Sequence, residues 1–297
     1  MNVIDKIEKL NIGDVLKKVS LKDYTTYKAG GFADIVIPDD IDSLITLIKF
    51  LKQEKVKYKI LGNGSNLIFS DGIYDGVLIK LDNFNKLEFN DNYVTVGAGY
   101  SLIKLALRTA RMGLSGLEFA SGIPGSVGGS IFMNAGAYKM DMGYITTTIK
   151  VLDPNLEVKI LTNQDLDFHY RYSFLQKAKN YICLEATLLL RNGDVNSILE
   201  VINDRKKRRL ETQPLEYPSA GSVFRNPNND YAGRLIEAIG YKGYRIGDAM
   251  VSLKHANFIV NMGNATGSDI KKLILEIKSK VKEKYNIDLK VEQEFVE

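Results

Sequence analysis

Cysteine is nearly absent. Cys183 is the only one in 297 residues, so neither an intrachain disulfide nor a cluster of thiolate ligands can form. It stands in the apolar run YICLEATLLL and reads as a small core residue. Histidine is scarce too: His169 and His255 are the only two and lie far apart, which argues against a histidine-built metal site, and no metal is expected. Long hydrophobic runs are missing. The opening MNVIDKIEKLNIGDVLKK mixes acids and bases without a signal-like apolar segment, and no stretch approaches a membrane span. A cytoplasmic location without a membrane partner is expected. Charge of one sign is not in excess either: 40 basic residues face 36 acidic ones, net +4, so no nucleic-acid partner is implied, while a small anionic ligand is compatible. The densest basic run, RKKRR at 205–209, reads mainly as the solvated end of a helix whose buried stripe is Val195, Ile198, Leu199 and Ile202. One or two of its side chains remain candidates for a phosphate.

What is present suits a folded protein of about two domains, with 45% hydrophobic and 26% charged residues. From Asp42 the positions Leu44, Leu47, Ile48 and Leu51 define one helix face, and KYKIL then reads as a strand running into LGNGSN. VLIKL, LEF and YVTVGAG read as a meander or hairpin, Ser101 and Gly113 bracket a helix, and ITTTIKVLD and LEVKILT flank Pro154 and Asn155 as a second hairpin. YICLEATLLL is a strand, and a helix runs from Asp194 to about Arg209. The prolines and glycine of ETQPLEYPSAG end regular structure, which puts a division between 1–200 and 201–297. Beyond it AGRLIEAIG reads as a helix, HANFIVN as a strand, Ile270, Leu273, Ile274, Ile277 and Val281 as the inner face of a second helix, and the region of Leu289 as a last strand.

Four glycine clusters mark the first half: TYKAGGFAD, LGNGSN, VGAGY and SGIPGSVGGSIFMNAGAY. In LGNGSN (Gly62, Asn63, Gly64, Ser65, Asn66), glycine lets backbone N–H groups approach an anion and Ser65 and Asn66 add donors. A tight polar turn explains that loop alone equally well, and it is neither a Rossmann fingerprint nor a P-loop. The last cluster holds five glycines between small residues, too many for a helix or strand built only for packing. Such a stretch can lie flat against a ligand. Close approach of two backbones would account for Gly128 and Gly129, but not for the whole run. The four clusters are read as walls of one extended cofactor groove.

TYKAGGFAD, LGNGSNLIFSD, GLEFASGIPGSVGGSIFMNAGAY, YRYS, QPLEYPSAGSVFRNP and AGRLIEAIGYKGYRIGDAMVSLKHANFIVNMGNAT, in this order and covering nearly the whole chain, resemble the bacterial UDP-N-acetylenolpyruvoylglucosamine reductases, in the shorter branch that lacks a tyrosine-bearing loop. The resemblance implies an α+β fold: a vanillyl-alcohol-oxidase (PCMH) type FAD-binding module of two subdomains in 1–200, with its core about 26–192, followed by a smaller α/β substrate domain in 201–297. It implies an oxidoreductase holding FAD non-covalently and using NADPH to reduce the enolpyruvyl ether of UDP-N-acetylglucosamine to UDP-N-acetylmuramate, a peptidoglycan precursor. A monomer acting on a small nucleotide-sugar substrate is expected. In such a fold LGNGSN approaches the FAD pyrophosphate, and Ser121, Gly122, Pro124, Gly125, Gly128 and Gly129, with Asn134 and Ala135, line the cofactor. The same fold also hosts oxidases with covalently held flavin. Neither principal glycine loop contains a histidine or cysteine, which argues against that variant.

The resemblance assigns three catalytic groups. Ser222, in PSAGSVFRNP, matches the family's proton donor; by itself it reads as turn chemistry. A serine hydroxyl is a poor acid and donates only to a strongly basic carbon held at hydrogen-bond distance. Arg171, between Tyr170 and Tyr172, matches the arginine that binds the enolpyruvyl carboxylate, a task suited to a planar, permanently charged fork. Without the resemblance it reads as a surface arginine lying over two tyrosines. Glu292 matches the final glutamate, where a raised pKa is expected. The family usually has valine and arginine after that glutamate, whereas this chain has Gln293 and Glu294; strand alternation would turn Glu292 and Glu294 to one side, so Glu294 is a rival. Asp248 is a second departure, where a glycine is more usual. For the substrate the family points to Tyr170, Arg225, Asn226, Lys254, His255 and Asn257. Taken singly, His255 reads as a satisfied strand histidine and Lys254 as a solvated charge.

Overall fold

The computed structural model describes residues 2–178 and 180–297. The chain forms two compact units, neither contiguous: the first takes the chain up to Leu16, Ile35–Asn63 and Val77–Lys207, the second Lys17–Asp34, Gly64–Gly76 and Arg208–Glu297. Compactness thus divides the chain otherwise than a single cut near residue 200. LGNGSN itself is split, since Asn63 closes one segment and Gly64 opens the next.

In the first unit a five-stranded antiparallel sheet has the order Val158–Thr162, Thr146–Leu152, Ile182–Leu189, Tyr93–Gly97, Leu87–Asn90. Its centre is the apolar run read from the sequence, and burial there pushes the Cys183 thiol up to about 12, so the lone cysteine is inert. The hairpin over Pro154 is closed by Asp153, whose Oδ1 accepts from the N–H groups of Asn155 and Glu157 at 2.8 and 2.9 Å. VLIKL does not join the neighbouring hairpin. Val77, Leu78 and Ile79 pair in parallel with Tyr58, Lys59 and Ile60, because their Val-Leu-Ile run is buried throughout rather than alternating. The helix Ile41–Gln53 buries Leu44, Leu47, Ile48 and Leu51 as its period requires. Ser101 caps Leu102–Arg111, accepting from the Lys104 N–H. The helix Val195–Thr212 carries RKKRR into its last turn, where Arg209 lies, with Lys206, Lys207 and Arg208 exposed and Arg205 stacked 4.7 Å from the Tyr138 ring centroid.

The second unit packs the helices Ala232–Ala238 and Gly267–Tyr285 with the antiparallel strands Arg245–Ile246, Ala249–Val251 and Ile259–Asn261. Only the last three residues of HANFIVN are strand. The long helix begins with a Thr266–Asp269 capping box, and both Asp71 carboxylate oxygens accept from its first N–H groups, Gly267 at 2.6 Å and Ser268 at 3.1 Å. Asp248 sits in the loop between the first two strands and accepts from the Asn264 N–H at 2.9 Å. The last strand is Glu294–Val296, later than expected near Leu289, and it pairs in parallel with Leu67–Phe69. Among the described residues no helix is long and apolar enough to cross a membrane.

Leu105 is fully buried in the first unit's core. Leu105→Ala is expected to lower unfolding free energy by about 2–5 kcal/mol, read by chemical denaturation, through lost burial and the cavity left behind.

Candidate active site

The first unit joins the long glycine stretch to the arginine turn. Residues Val127–Phe132 form a short helix despite its two glycines, capped by Ser126, which accepts from the Gly129 N–H. Packing outweighs propensity here: a Cβ on Gly128 would stand 2.9 Å from that of Ala98, and the Gly128 and Val127 N–H groups donate to the carbonyls of Ala98 and Tyr100. VGAGY and the long stretch therefore form one surface. Gly62 and Asn63 join it. Asn63 Nδ2 donates to the Pro124 carbonyl at 3.2 Å, Lys80 Nζ to that of Gly62 at 3.1 Å, and a Cβ on Gly62 would stand 2.7 Å from Ser126 Oγ.

Arg171 occupies a tight turn closed by reciprocal hydrogen bonds between His169 and Tyr172 at 3.1 and 3.0 Å. Its φ is +58°, a strained region for a side chain of this size, of the kind retained where position matters more than local energy. The turn is clamped to the end of the short helix. Asn134 Nδ2 donates to the His169 carbonyl at 2.8 Å while its Oδ1 accepts from the Gly143 N–H; Gln176 Nε2 donates to the carbonyls of Phe132 and Arg171; Ser173 Oγ donates to that of Phe132. The guanidinium donates from Nη2 to the Gly136 carbonyl at 2.6 Å and lies 5.0 Å from the centroid of the half-exposed Tyr170 ring. Tyr172 stacks on His169 instead. Asn134, expected at the cofactor, thus spends its carboxamide on the arginine turn. Asp141 was not legible in the sequence: burial pushes its carboxyl above the usual range, opposed by N–H groups of Gly143 and Tyr144, the Asn134 amide and the Arg171 charge.

In the second unit the irregular stretch PSAGSVFRNP is bridged to a neighbouring segment on each side. On one side Ser222 bridges Phe258, the Val223 N–H donates to the Asn257 carbonyl, and the Asn257 side chain accepts from the Phe224 N–H at 3.0 Å and donates to its carbonyl at 2.8 Å. On the other, Phe224 bridges Val291, the Arg225 N–H donates to the Lys290 carbonyl and the Glu292 N–H to that of Val223. Glu292 is thereby fixed beside the serine loop. Gln293 is a buried bend preceding the strand, between the part-buried Glu292 and the exposed Glu294, which pairs onward with Leu67. Asn66 holds both ends of the bend, donating from Nδ2 to the Glu292 carbonyl and accepting the Glu294 N–H at its own carbonyl.

The substrate candidates divide. Asn257 and Asn226 are committed internally, Asn226 Oδ1 accepting from the Ala232 N–H at a helix start. Lys254 Nζ donates to the Leu210 carbonyl and to Glu216. His255 lies in a turn, not a strand: its Nδ1 accepts from the Asn257 N–H at 3.2 Å and its ring meets Phe258 edge-on. Arg225 differs, since its Nε is buried without a hydrogen-bond partner, a state that favours an incoming acceptor or anion. Thr26 Oγ1 is likewise buried and unpartnered, on a residue whose N–H donates to the Gly64 carbonyl.

Two family models match the chain: an FAD binding domain over residues 33–158 and the C-terminal domain of UDP-N-acetylenolpyruvoylglucosamine reductase over 213–296. The reductase of that name from Halalkalibacterium halodurans is 45% identical, over 99% of this chain and 98% of its own length. The chain belongs to the UDP-N-acetylenolpyruvoylglucosamine reductase family. The Bacillus subtilis member is 44% identical over the same shares. The crystal structure of the Thermus caldophilus enzyme superposes with a TM-score of 0.82 at 35% identity, covering 96% of this chain and 99% of that one. Membership in this family, with its FAD binding domain, confirms the α+β flavin-binding fold implied by the motifs.

Burial pushes the His255 imidazole below its ordinary value. The unfolded chain then binds a proton that the folded chain refuses, so stability should fall as pH drops through about 6.5 towards the lower folded value. Thermal unfolding from pH 8 to 5 is expected to show a shallower acid loss in His255→Gln than in the parent.

Proposed function

We infer that this chain is an FAD enzyme that uses NADPH to reduce UDP-N-acetylglucosamine enolpyruvate to UDP-N-acetylmuramate in peptidoglycan precursor synthesis. One observation carries the reading: an FAD binding domain and the reductase's C-terminal domain lie in a single chain that matches its relatives from end to end. The structure suits the cofactor. Gly62–Asn63 and Ser121–Gly129 lie side by side, so that a Cβ at Gly62 would crowd the Ser126 hydroxyl, leaving backbone available to a flat, anionic group. When bound, FAD reduced by NADPH supplies the hydride.

The chain's own residues do the rest. Gly62, Asn63, Gly64, Ser65 and Asn66 receive the pyrophosphate, and Ser121 to Gly129 lie along the cofactor. Arg171 binds the enolpyruvyl carboxylate, with its guanidinium preset by Gly136 and Tyr170; the fork neutralises charge that grows on that carboxylate in the transition state. Ser222 delivers a proton to the carbon next to the one reduced, and Glu292, fixed beside the serine loop through Val223, is the carboxylate that assists it. Arg225 takes an anionic part of the nucleotide sugar, while Asn226 and Asn257 act by holding the loop. Lys254 and His255 border the same turn, Tyr170 the sugar. A cytoplasmic monomer fits this role.

Ser222→Ala should be bleached by NADPH at the parental rate yet recoloured by the enolpyruvyl nucleotide sugar roughly 10²–10⁴-fold more slowly, because only proton delivery is lost. Parental recolouring would remove Ser222 from the reaction. Glu292→Gln should lose recolouring and Glu294→Gln keep it; stopped-flow absorbance near the flavin maximum reads both, and loss in Glu294→Gln alone reverses the assignment.

A further inference from the structure

Gln293 has no part in the reading above, although it is buried, with 4% of its surface exposed, between Glu292 and Glu294. Its Oε1 accepts from the Tyr27 hydroxyl at 2.9 Å. Its Nε2 faces three successive carbonyls, Ala220 at 3.0 Å and Gly221 and Ser222 at 3.4 Å each. A carboxamide nitrogen has two N–H groups for these three oxygens, so the shortest bond dominates and the others share what remains. Three consecutive carbonyls can face one donor only if the backbone curls around it, and Gly221 supplies the curl with φ +73°.

We propose that Gln293 is a positioning residue for Ser222: its carboxamide is a buried strut between Tyr27 and the turn 220–222 that fixes where the serine hydroxyl stands. Both ends of the strut are rigid. Tyr27 is buried in the second unit's core and its carbonyl accepts from Asn261 Nδ2 at 2.9 Å. The main chain around Gln293 is held by the Glu292 N–H on Val223 and the Glu294 N–H on Asn66, which fixes the point from which the carboxamide projects. Ala220 is buried in the core and Ser222 bridges Phe258, so the ends of the turn are held, but Gly221 between them is not packed. A Cβ built on Gly221 would meet nothing within 4 Å, so hydrogen bonds rather than packing hold that residue. Burial pushes the Tyr27 phenol up, so it remains a donor throughout the working range. Replacing Gln293 by an apolar residue of similar size leaves carbonyls and a phenol unpartnered, and the turn relaxes to satisfy them.

The proposal rests on Ser222 being the proton donor. Gln293→Leu and Tyr27→Phe are the tests, with the two half-reactions measured separately on the FAD-loaded protein. NADPH bleaching should stay within about twofold of the parent, while recolouring by the enolpyruvyl nucleotide sugar slows about 10–100-fold in Gln293→Leu and a few-fold in the milder Tyr27→Phe, the scale of a misplaced reacting group. The loss should fall on kcat rather than KM, and the solvent deuterium isotope effect on recolouring should grow as proton delivery becomes slowest. Adding Gln293→Leu to Ser222→Ala should slow recolouring no further, because one residue acts through the other. If Ser222→Ala recolours slowly while both strut variants recolour at the parental rate, or if their half-reactions fall together with stability, Gln293 is structural only and the proposal fails. Parental recolouring in Ser222→Ala would instead overturn the proton-donor reading, and this proposal with it. Tyr27→Phe, which removes one oxygen, decides the matter should Gln293→Leu not fold.

Discussion

A loop that must lie against a ligand cannot commit its backbone N–H and C=O groups to a helix or sheet, so those that are buried need side-chain partners. In this protein carboxamides fill that need repeatedly. Asn257 gives Phe224 both of its missing hydrogen bonds, Asn134 ties the arginine turn to the residues after the short helix, Asn66 brackets the bend at Gln293, and Gln293 gathers the carbonyls of the serine turn. An amide suits the task because it donates and accepts at once, carries no charge to desolvate and does not titrate. The loops are thus rigid without being regular.

Strain and charge are distributed on the same frame. Arg171 at positive φ and Asn134 at +43° occupy backbone conformations that cost of order 1 kcal/mol or more each, and both sit within the clamped region rather than at its edge. The cationic nitrogen of Arg225 is buried without a partner, a deficit that binding an anion would remove. These features run against stability, and the strain at Arg171 and Asn134 is offset by the hydrogen bonds around them.

Elements whose pattern is local were legible in the sequence. The stripe Leu44, Leu47, Ile48, Leu51 and that of the long helix Gly267–Tyr285 are buried as their spacing requires, and the hairpin over Pro154 forms in place. The chemistry-bearing motifs were legible through resemblance alone, since a serine in a glycine turn has no intrinsic signature. What escaped depends on partners distant in sequence. The helix Val127–Phe132 exists because Gly128 fits against Ala98, VLIKL pairs in parallel with Tyr58–Ile60, and the glutamine between Glu292 and Glu294 is buried against a partner as remote as Tyr27. Gln293 was visible only as a departure from the family, without any hint of its role. The split of LGNGSN between units was equally hidden, because composition does not change there.

The discontinuity of the second unit bears on how the polypeptide is made. Leu67–Phe69 finds its strand partner in Glu294–Val296, and Tyr27 its acceptor in Gln293, more than two hundred residues later. On the ribosome those early segments wait, unpaired, until residues 293–296 have left the exit tunnel. Pairing so remote in sequence is slow, and it leaves an exposed edge for as long as translation lasts. Residues 293–296 are therefore not a dispensable segment but the closing piece of the unit that carries the serine.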